Sequence, residues 1–261
     1  MIKKIGIAGI GAIGTALAKA ITSEEGIGNC VLDCVSDPDA KTDFNVPNVD
    51  FNELVNRCDM VIECLPTSAV PELAEAAFTT NTDIIFISAA AWLIYPQIAD
   101  SYQKSESRVY IPSGALCGLD GVRAMREMGI VSSKIASTKP PIGFKSAPYI
   151  VENDISLADI KEKTLLFEGN ALDASKGFPA NVNVAATLSL AGIGAENTRV
   201  EIWADPNAVS NAHEITIKSE YSTLTSRIEN MPDPMNPKSS ILAAQSIVAT
   251  LRNMGSAIVM T

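Results

Sequence analysis

The sequence predicts an α/β protein in two parts: an N-terminal doubly wound parallel sheet, then a second α+β domain built on a mixed or antiparallel sheet. Three observations carry this expectation. From Lys4 to Ser88, short continuously apolar runs alternate with helix-like runs, as they do where strands are buried on both faces. From Asn197 the pattern becomes polar–apolar alternation, expected of strands covered on one face only. A proline-rich loop then leads into one last amphipathic run, which returns to helical spacing.

Taken in order, Lys4–Ala8 (KIGIA) is the first strand, followed by a glycine turn and a helix over Ala12–Thr22. Val31–Ser36 and Met60–Leu65 (MVIECL) are the second and third strands. Ser68 can cap the next helix, which has Pro71 in its first turn and runs through PELAEAAF; Asp83–Ser88 (DIIFIS) is the fourth strand. The register changes after VYIPSGALCGLDG. The second domain then takes a strand at Leu165–Glu168, helical runs at Ala171–Lys176 and Val182–Leu190, and the alternating segments TRVEIWADP, HEITIKSE and STLTSRIEN. MPDPMNPKSS reads as a loop. SILAAQSIVATLRNMG reads as a helix with Ile241, Ala244, Val248 and Leu251 on its apolar face, closed by Gly255. This helix is expected to return to the first domain, giving residues 1–112 with 240–261 as one domain and 113–239 as the other.

Apolar residues make up 47% of the 261, enough for a core that needs no staples. The net charge is -10 with acids and bases scattered, which argues against a nucleic-acid partner, since that needs a basic stripe. An anionic ligand must therefore be held by local donors against the overall field. Cys30, Cys34, Cys58, Cys64 and Cys117 form no C-x-x-C pair and have no histidine clustered with them. They predict reduced thiols acting as small apolar residues in a cytoplasmic protein, with no metal site. The start, MIKKIGIAGIG, lacks a signal-peptide layout, and no apolar stretch approaches the roughly 20 residues of a membrane span, so no membrane partner is expected.

Gly9-Ile10-Gly11-Ala12-Ile13-Gly14 is G-x-G-x-x-G. Such a turn alone is a weak signal, but this one follows a strand and opens a helix, the context of a Rossmann dinucleotide site. Gly9 permits the tight turn, Gly11 lets a pyrophosphate approach, and Gly14 lets helix and sheet lie close. The N–H groups at the helix start, at Ala12 and Ile13, then face the phosphates. Asp37 stands at the end of the second strand, close to the expected spacing of about 20 residues. Its carboxylate can accept from ribose hydroxyls and repels a 2′-phosphate, and Pro38 leaves no arginine beside it. NAD is the expected cofactor, with NADP the alternative. A plain βαβ turn with a surface aspartate is the bland reading of the same residues.

Segments outside that motif carry a family resemblance. PSGALCGLDG (Pro112–Gly121), STKPP (Ser137–Pro141), LFEGNALDASKGFPANVNVAATL (Leu166–Leu188), ADPNAVSNAHEI (Ala204–Ile215) and ENMPDPMNPKSS (Glu229–Ser240) resemble L-aspartate dehydrogenases, in order and with comparable spacing. One departure is Cys117, where the family's A-x-G-G-L-D pattern has glycine. The resemblance implies a homodimer that oxidises L-aspartate with NAD or NADP, giving iminoaspartate or, after hydrolysis, oxaloacetate and ammonia. That product could serve NAD synthesis, and the same enzyme could degrade aspartate or aminate oxaloacetate. The resemblance also implies a catalytic histidine at His213 and cofactor contacts from Ala115 and Asn183, the second drawn from an N-x-N-V stretch.

His213 is the only histidine in the chain. A strand through SNAHEITI places His213, Ile215 and Ile217 on one face, so the ring is expected on the covered side. By pattern alone, such a histidine is more often a satisfied core residue. Within the family resemblance it becomes the group that changes protonation during amine oxidation, for which an unperturbed pKa of about 6.5 is suited. The substrate's two carboxylates need cations or oriented donors. Lys139, in a loop fixed by two prolines, is the best candidate, against the usual fate of a solvated lysine. Ser113 and Asn183 can add hydrogen bonds, and Asp205 either orients His213 or begins a turn before Pro206. The competing functions are another two-domain reductase, akin to homoserine dehydrogenase or dihydrodipicolinate reductase, and a nucleotide-sensing module without turnover.

Overall fold

The computed structural model of the chain describes residues 2–39, 44–233 and 236–259, with 232, 233 and 236–239 described by their backbone. It divides into two units, Met1–Gly114 with Leu242–Thr261, and Ala115–Ile241.

The first unit is built on a parallel sheet of β1 (Lys3–Ala8), β2 (Cys30–Ser36), β3 (Met60–Glu63), β4 (Asp83–Phe86) and β5 (Val109–Tyr110), in the order β2-β1-β3-β4-β5. Its helices are α1 (Ala12–Thr22), α2 (Phe51–Arg57), α3 (Val70–Thr79), α4 (Ala91–Ile94) and α5 (Gln97–Tyr102). Successive strand residues serve opposite faces, which is why the strands read as unbroken apolar runs. Ile5, Ile7, Ile62 and Ile85 pack with Leu17 and Ile21 of α1 and with Ile247, Val248 and Leu251 of the C-terminal helix (Ile241–Met254). Val61, Ile84 and Phe86 pack on the other side with Leu54, Leu73 and Phe78. Because the chain passes from β2 to the far side of β1, the strand order reverses between β1 and β3. The carboxyl ends of these strands therefore form the crevice where open α/β sheets bind ligands.

One expectation needs correction here. Ser68 is not a cap, since Thr67–Ala69 forms a 3-10 turn and α3 starts behind Ala69 with no side-chain cap, although Pro71 does lie in its first turn. The helix α2 was not anticipated, yet its start carries a legible D-x-x-E signal: the Asp50 carboxylate accepts from Glu53 N.

The second unit holds a mixed sheet of β6 (Ile130–Lys139), β7 (Thr164–Asn170), β8 (Thr198–Ala204), β9 (Asn211–Ser219) and β10 (Thr223–Asn230) in the order β10-β9-β6-β8-β7. Only β6 and β8 run parallel. The helices are α6 (Leu119–Glu127), α7 (Pro148–Glu152), α8 (Ala171–Gly177) and α9 (Asn183–Ala191). Part of the proline-rich loop is a short antiparallel ladder, β11 (Pro232–Asp233) with β12 (Asn236–Ser240), while residues 234 and 235 of that loop lie outside the described residues.

The central strand β6 escapes a reading by hydrophobic alternation, because its buried positions are Ser133, Ile135, Ser137 and Lys139. Lys139 is therefore the last residue of a strand, and the expected loop begins only with Pro140.

Candidate active site

In the first unit the glycine turn has the geometry its sequence requires. Gly9 has φ +89°, and a Cβ there would lie 2.4 Å from the Cys64 carbonyl oxygen; one on Gly14 would lie 1.9 Å from the Gly9 carbonyl oxygen. A Cβ on Gly11, by contrast, would meet nothing within 4 Å, so the turn is closed against the sheet and open where a pyrophosphate would approach. Gly11 stands at the N-cap of α1 and no side chain caps the helix start, the arrangement a helix end that receives a phosphate would need. The Asp37 Oδ2 accepts from Ile10 N at 2.6 Å and Oδ1 accepts from Asp39 N at 2.9 Å. Asn48 clamps the Asp37 peptide from both sides, with its Oδ1 accepting from Asp37 N and its Nδ2 donating to Asp37 O. The acid is thus fixed beside the turn, and each carboxylate oxygen keeps a lone pair for a ribose hydroxyl. These residues fit a dinucleotide.

In the second unit, strand register assembles a polar cluster on the buried face of the sheet. Ser137 of β6 pairs directly with His213 of β9, and Lys139 follows two residues on along the same face. The Ser137 Oγ lies 2.9 Å from His213 Nδ1, and Lys139 Nζ donates to Asn181 Oδ1 at 3.0 Å. His213 is 4% exposed and Lys139 8%. Burial, with the nearby Lys139 charge adding to it, pushes the His213 imidazole down to about 3. Burial alone brings the Lys139 ammonium down to about 8. At pH 7 the unliganded ring is therefore a neutral base, its charged form disfavoured by burial and by the Lys139 charge. A bound dicarboxylate would supply a counter-charge and favour the charged forms of both groups.

The other predicted residues fall as follows. Ser113 precedes Gly114, the last residue of this segment of the first unit, whose N–H donates to Ser246 Oγ at 3.2 Å. Ala115 opens the second unit, its carbonyl taking a hydrogen bond from the buried Asn230 at 3.2 Å. Asn183 is the first residue of α9, and its carbonyl accepts from Thr187 Oγ1. It is the neighbouring Asn181 that meets Lys139. Asp205 makes the turn, accepting from Asn207 N, while its own N–H donates to the Lys139 carbonyl. Ser137 and Asn181 were missed, although the strand period that points His213 inward would have found Ser137 had β6 been recognised. Also unread was the approach of Cys34 and Cys58, whose sulfurs lie 3.5 Å apart beside Asp33. The Asp33 carboxylate is already engaged by Arg57 at 2.9 Å and Lys4 at 3.5 Å.

A glycine-turn domain joined to a sheet domain with an inward histidine defines a two-unit nicotinamide-dependent dehydrogenase, and the comparisons refine that class. The family described as "Aspartate dehydrogenase, C-terminal" matches residues 120–254, and the "Homoserine dehydrogenase, NAD binding domain" matches residues 9–112. The chain is 42% identical to L-aspartate dehydrogenase 3 of Bordetella bronchiseptica, over 96% of this chain and 94% of the relative. It is 41% identical to L-aspartate dehydrogenase of Methanococcoides burtonii, over 96% of each. The crystal structure of aspartate dehydrogenase from Thermotoga maritima superposes with a TM-score of 0.80 at 30% identity, covering 100% of both chains. The chain belongs to the aspartate dehydrogenase family. Its likeness to scyllo-inositol dehydrogenase from Lactobacillus casei, with a TM-score of 0.52 at 15% identity, shows a shared fold alone.

Proposed function

We propose that the chain oxidises L-aspartate at Cα with NAD, or with NADP as the alternative, giving iminoaspartate or, after hydrolysis, oxaloacetate and ammonia. The observation that carries this reading is the buried cluster of His213, Ser137 and Lys139 on one sheet face. Bound NAD supplies the hydride acceptor. Loss of hydride from Cα must be matched by loss of a proton from nitrogen, and His213 takes it at Nε2. That role requires the tautomer whose Nδ1–H donates to Ser137 Oγ, leaving the Nε2 lone pair free. Once that proton has passed to solvent, the neutral imidazole serves imine hydrolysis, taking a proton from the attacking water and returning it to the departing ammonia. Lys139 holds a substrate carboxylate, itself positioned by Asn181, while Ser113 and Asn183 donate further hydrogen bonds. Gly9, Gly11, Ala12, Ile13, Gly14, Asp37, Ala115 and Asn183 hold the cofactor.

Assembly as a homodimer belongs to the same proposal. The outer face of the second sheet supports it, with part-exposed Trp203 among the ion pairs Lys134–Glu201, Arg199–Glu168 and Arg227–Glu214. Among the described residues no helix is long and apolar enough to cross a membrane. A cytoplasmic location is supported by the five free cysteines and is checked by cell fractionation.

An amino-acid panel assayed with each cofactor, alongside sedimentation of the same preparation, tests the proposal. NADH absorbance should grow with L-aspartate, in a dimer. Turnover of homoserine in its place, or cofactor binding without turnover of any amino acid, would overturn it.

A further inference from the structure

Glu63 is the last residue of β3, is 0% exposed, and takes part in no ion pair among the described residues. An acid buried in this way disfavours the fold unless its oxygens are fully engaged. Burial raises its carboxyl to about 7, against the opposing effect of the amides around it. Ser88 and Leu65 supply the closest of those donors. Oε1 accepts from Leu65 N at 2.7 Å, and Oε2 accepts from Ser88 N at 2.9 Å. The Ser88 hydroxyl closes the ring by donating to the Leu65 carbonyl at 3.1 Å. One side chain therefore ties the loop leaving β3 to the loop leaving β4.

The position of this tie matters. Glu63 pairs in register with Ala8, the residue before the glycine turn, and the Cys64 carbonyl is what a Cβ on Gly9 would strike. A dinucleotide whose pyrophosphate lies on α1 extends to both sides of β1. Asp37, after β2, claims the adenosine side, so the other half must pass over the ends of β3 and β4.

Resting on the dinucleotide reading, we infer that Glu63 is a positioning residue for the nicotinamide half of the cofactor, acting through the Leu65 and Ser88 loops it clips together. It touches no substrate. Replacing it by glutamine keeps the shape but turns an NH₂ group toward one of the two N–H donors, opening one side of the clip.

The test is equilibrium binding of NAD and of ADP, which lacks the nicotinamide half, to Glu63→Gln and wild type. NAD should bind more weakly in the variant, by up to about tenfold, since the charge-assisted hydrogen bond lost lies within the clip and only part of it is felt at the ligand, while ADP binds unchanged. Ser88→Ala, a milder change that removes only the hydroxyl tie, should shift NAD in the same direction by a smaller factor and leave ADP unmoved. It carries the test if Glu63→Gln does not fold. Equal weakening of NAD and ADP, or no weakening of NAD in either variant, would overturn the assignment. Wild type that binds neither ligand would instead overturn the dinucleotide reading on which it rests.

Discussion

Replacing Lys139 by methionine removes one ammonium while keeping an unbranched stem in a buried site. In the folded protein the Lys139 ammonium donates to Asn181, an uncharged acceptor, and its charge is felt by the His213 imidazole. The ammonium is thus held ready for an anion, and a charge-assisted hydrogen bond of about 1.5–3 kcal/mol translates to about a 10- to 150-fold loss of affinity when it is removed. The assay is competitive inhibition by succinate, a dicarboxylate without an amine, measured against pH at fixed NAD. Lys139 is charged below about 8 and loses its proton above it. On passing upward through that pH, succinate binding to wild type should begin to weaken, by up to about tenfold per pH unit for one linked proton. Lys139→Met should bind weakly throughout and show no such break. Removing the neighbouring charge also relieves one of the two causes that hold the His213 imidazole down, so its pKa should rise. Unchanged succinate affinity in Lys139→Met, or a break near 8 that survives the substitution, would refute the assignment of Lys139 to the carboxylate.

Two other outcomes follow from the same geometry. His213 titrates at about 3 when folded and at about 6.5 when unfolded, so the unfolded chain binds the extra proton and stability is lost as pH falls below 6.5. By pH 5 this costs about 2 kcal/mol, a loss that His213→Asn should escape in urea titrations; parallel acid profiles for the two proteins would contradict it. Asp37→Ala should bind both cofactors less well, because Ile10 N–H loses its acceptor, and should shift the kcat/KM ratio toward NADP. A wild type that already prefers NADP, with the preference persisting in the variant, would end the account of Asp37.

The sequence made the first unit legible because its signals are local. The glycine turn, the strand before it and the acid after the next strand lie within one βαβ stretch, and their spacing is fixed by backbone geometry. His213 was also placed on the correct face, since Ile215 and Ile217 mark that face apolar. What could not be read was the company His213 keeps. β6 buries two serines and a lysine, so polarity gave no sign that this strand is central to its sheet. Ser137 meets His213 across 76 positions of sequence, and Lys139 meets Asn181 across 42. Such pairings depend on strand order and register, which a single sequence does not display. α6 was hidden for a different reason: Gly121 interrupts its helical pattern, and the space that glycine leaves is filled by Leu224 of β10, where a Cβ would lie 2.5 Å from Cδ1.

The account depends most on His213 as the proton carrier, and single-turnover reduction of NAD by L-aspartate in His213→Asn measures that most directly. With NADH affinity shown to match wild type, the hydride-transfer rate should fall by about 10²- to 10⁴-fold, the usual contribution of a positioned acid–base group. A variant that keeps the wild-type rate would mean that the imidazole is a core residue and that the proton leaves by another route.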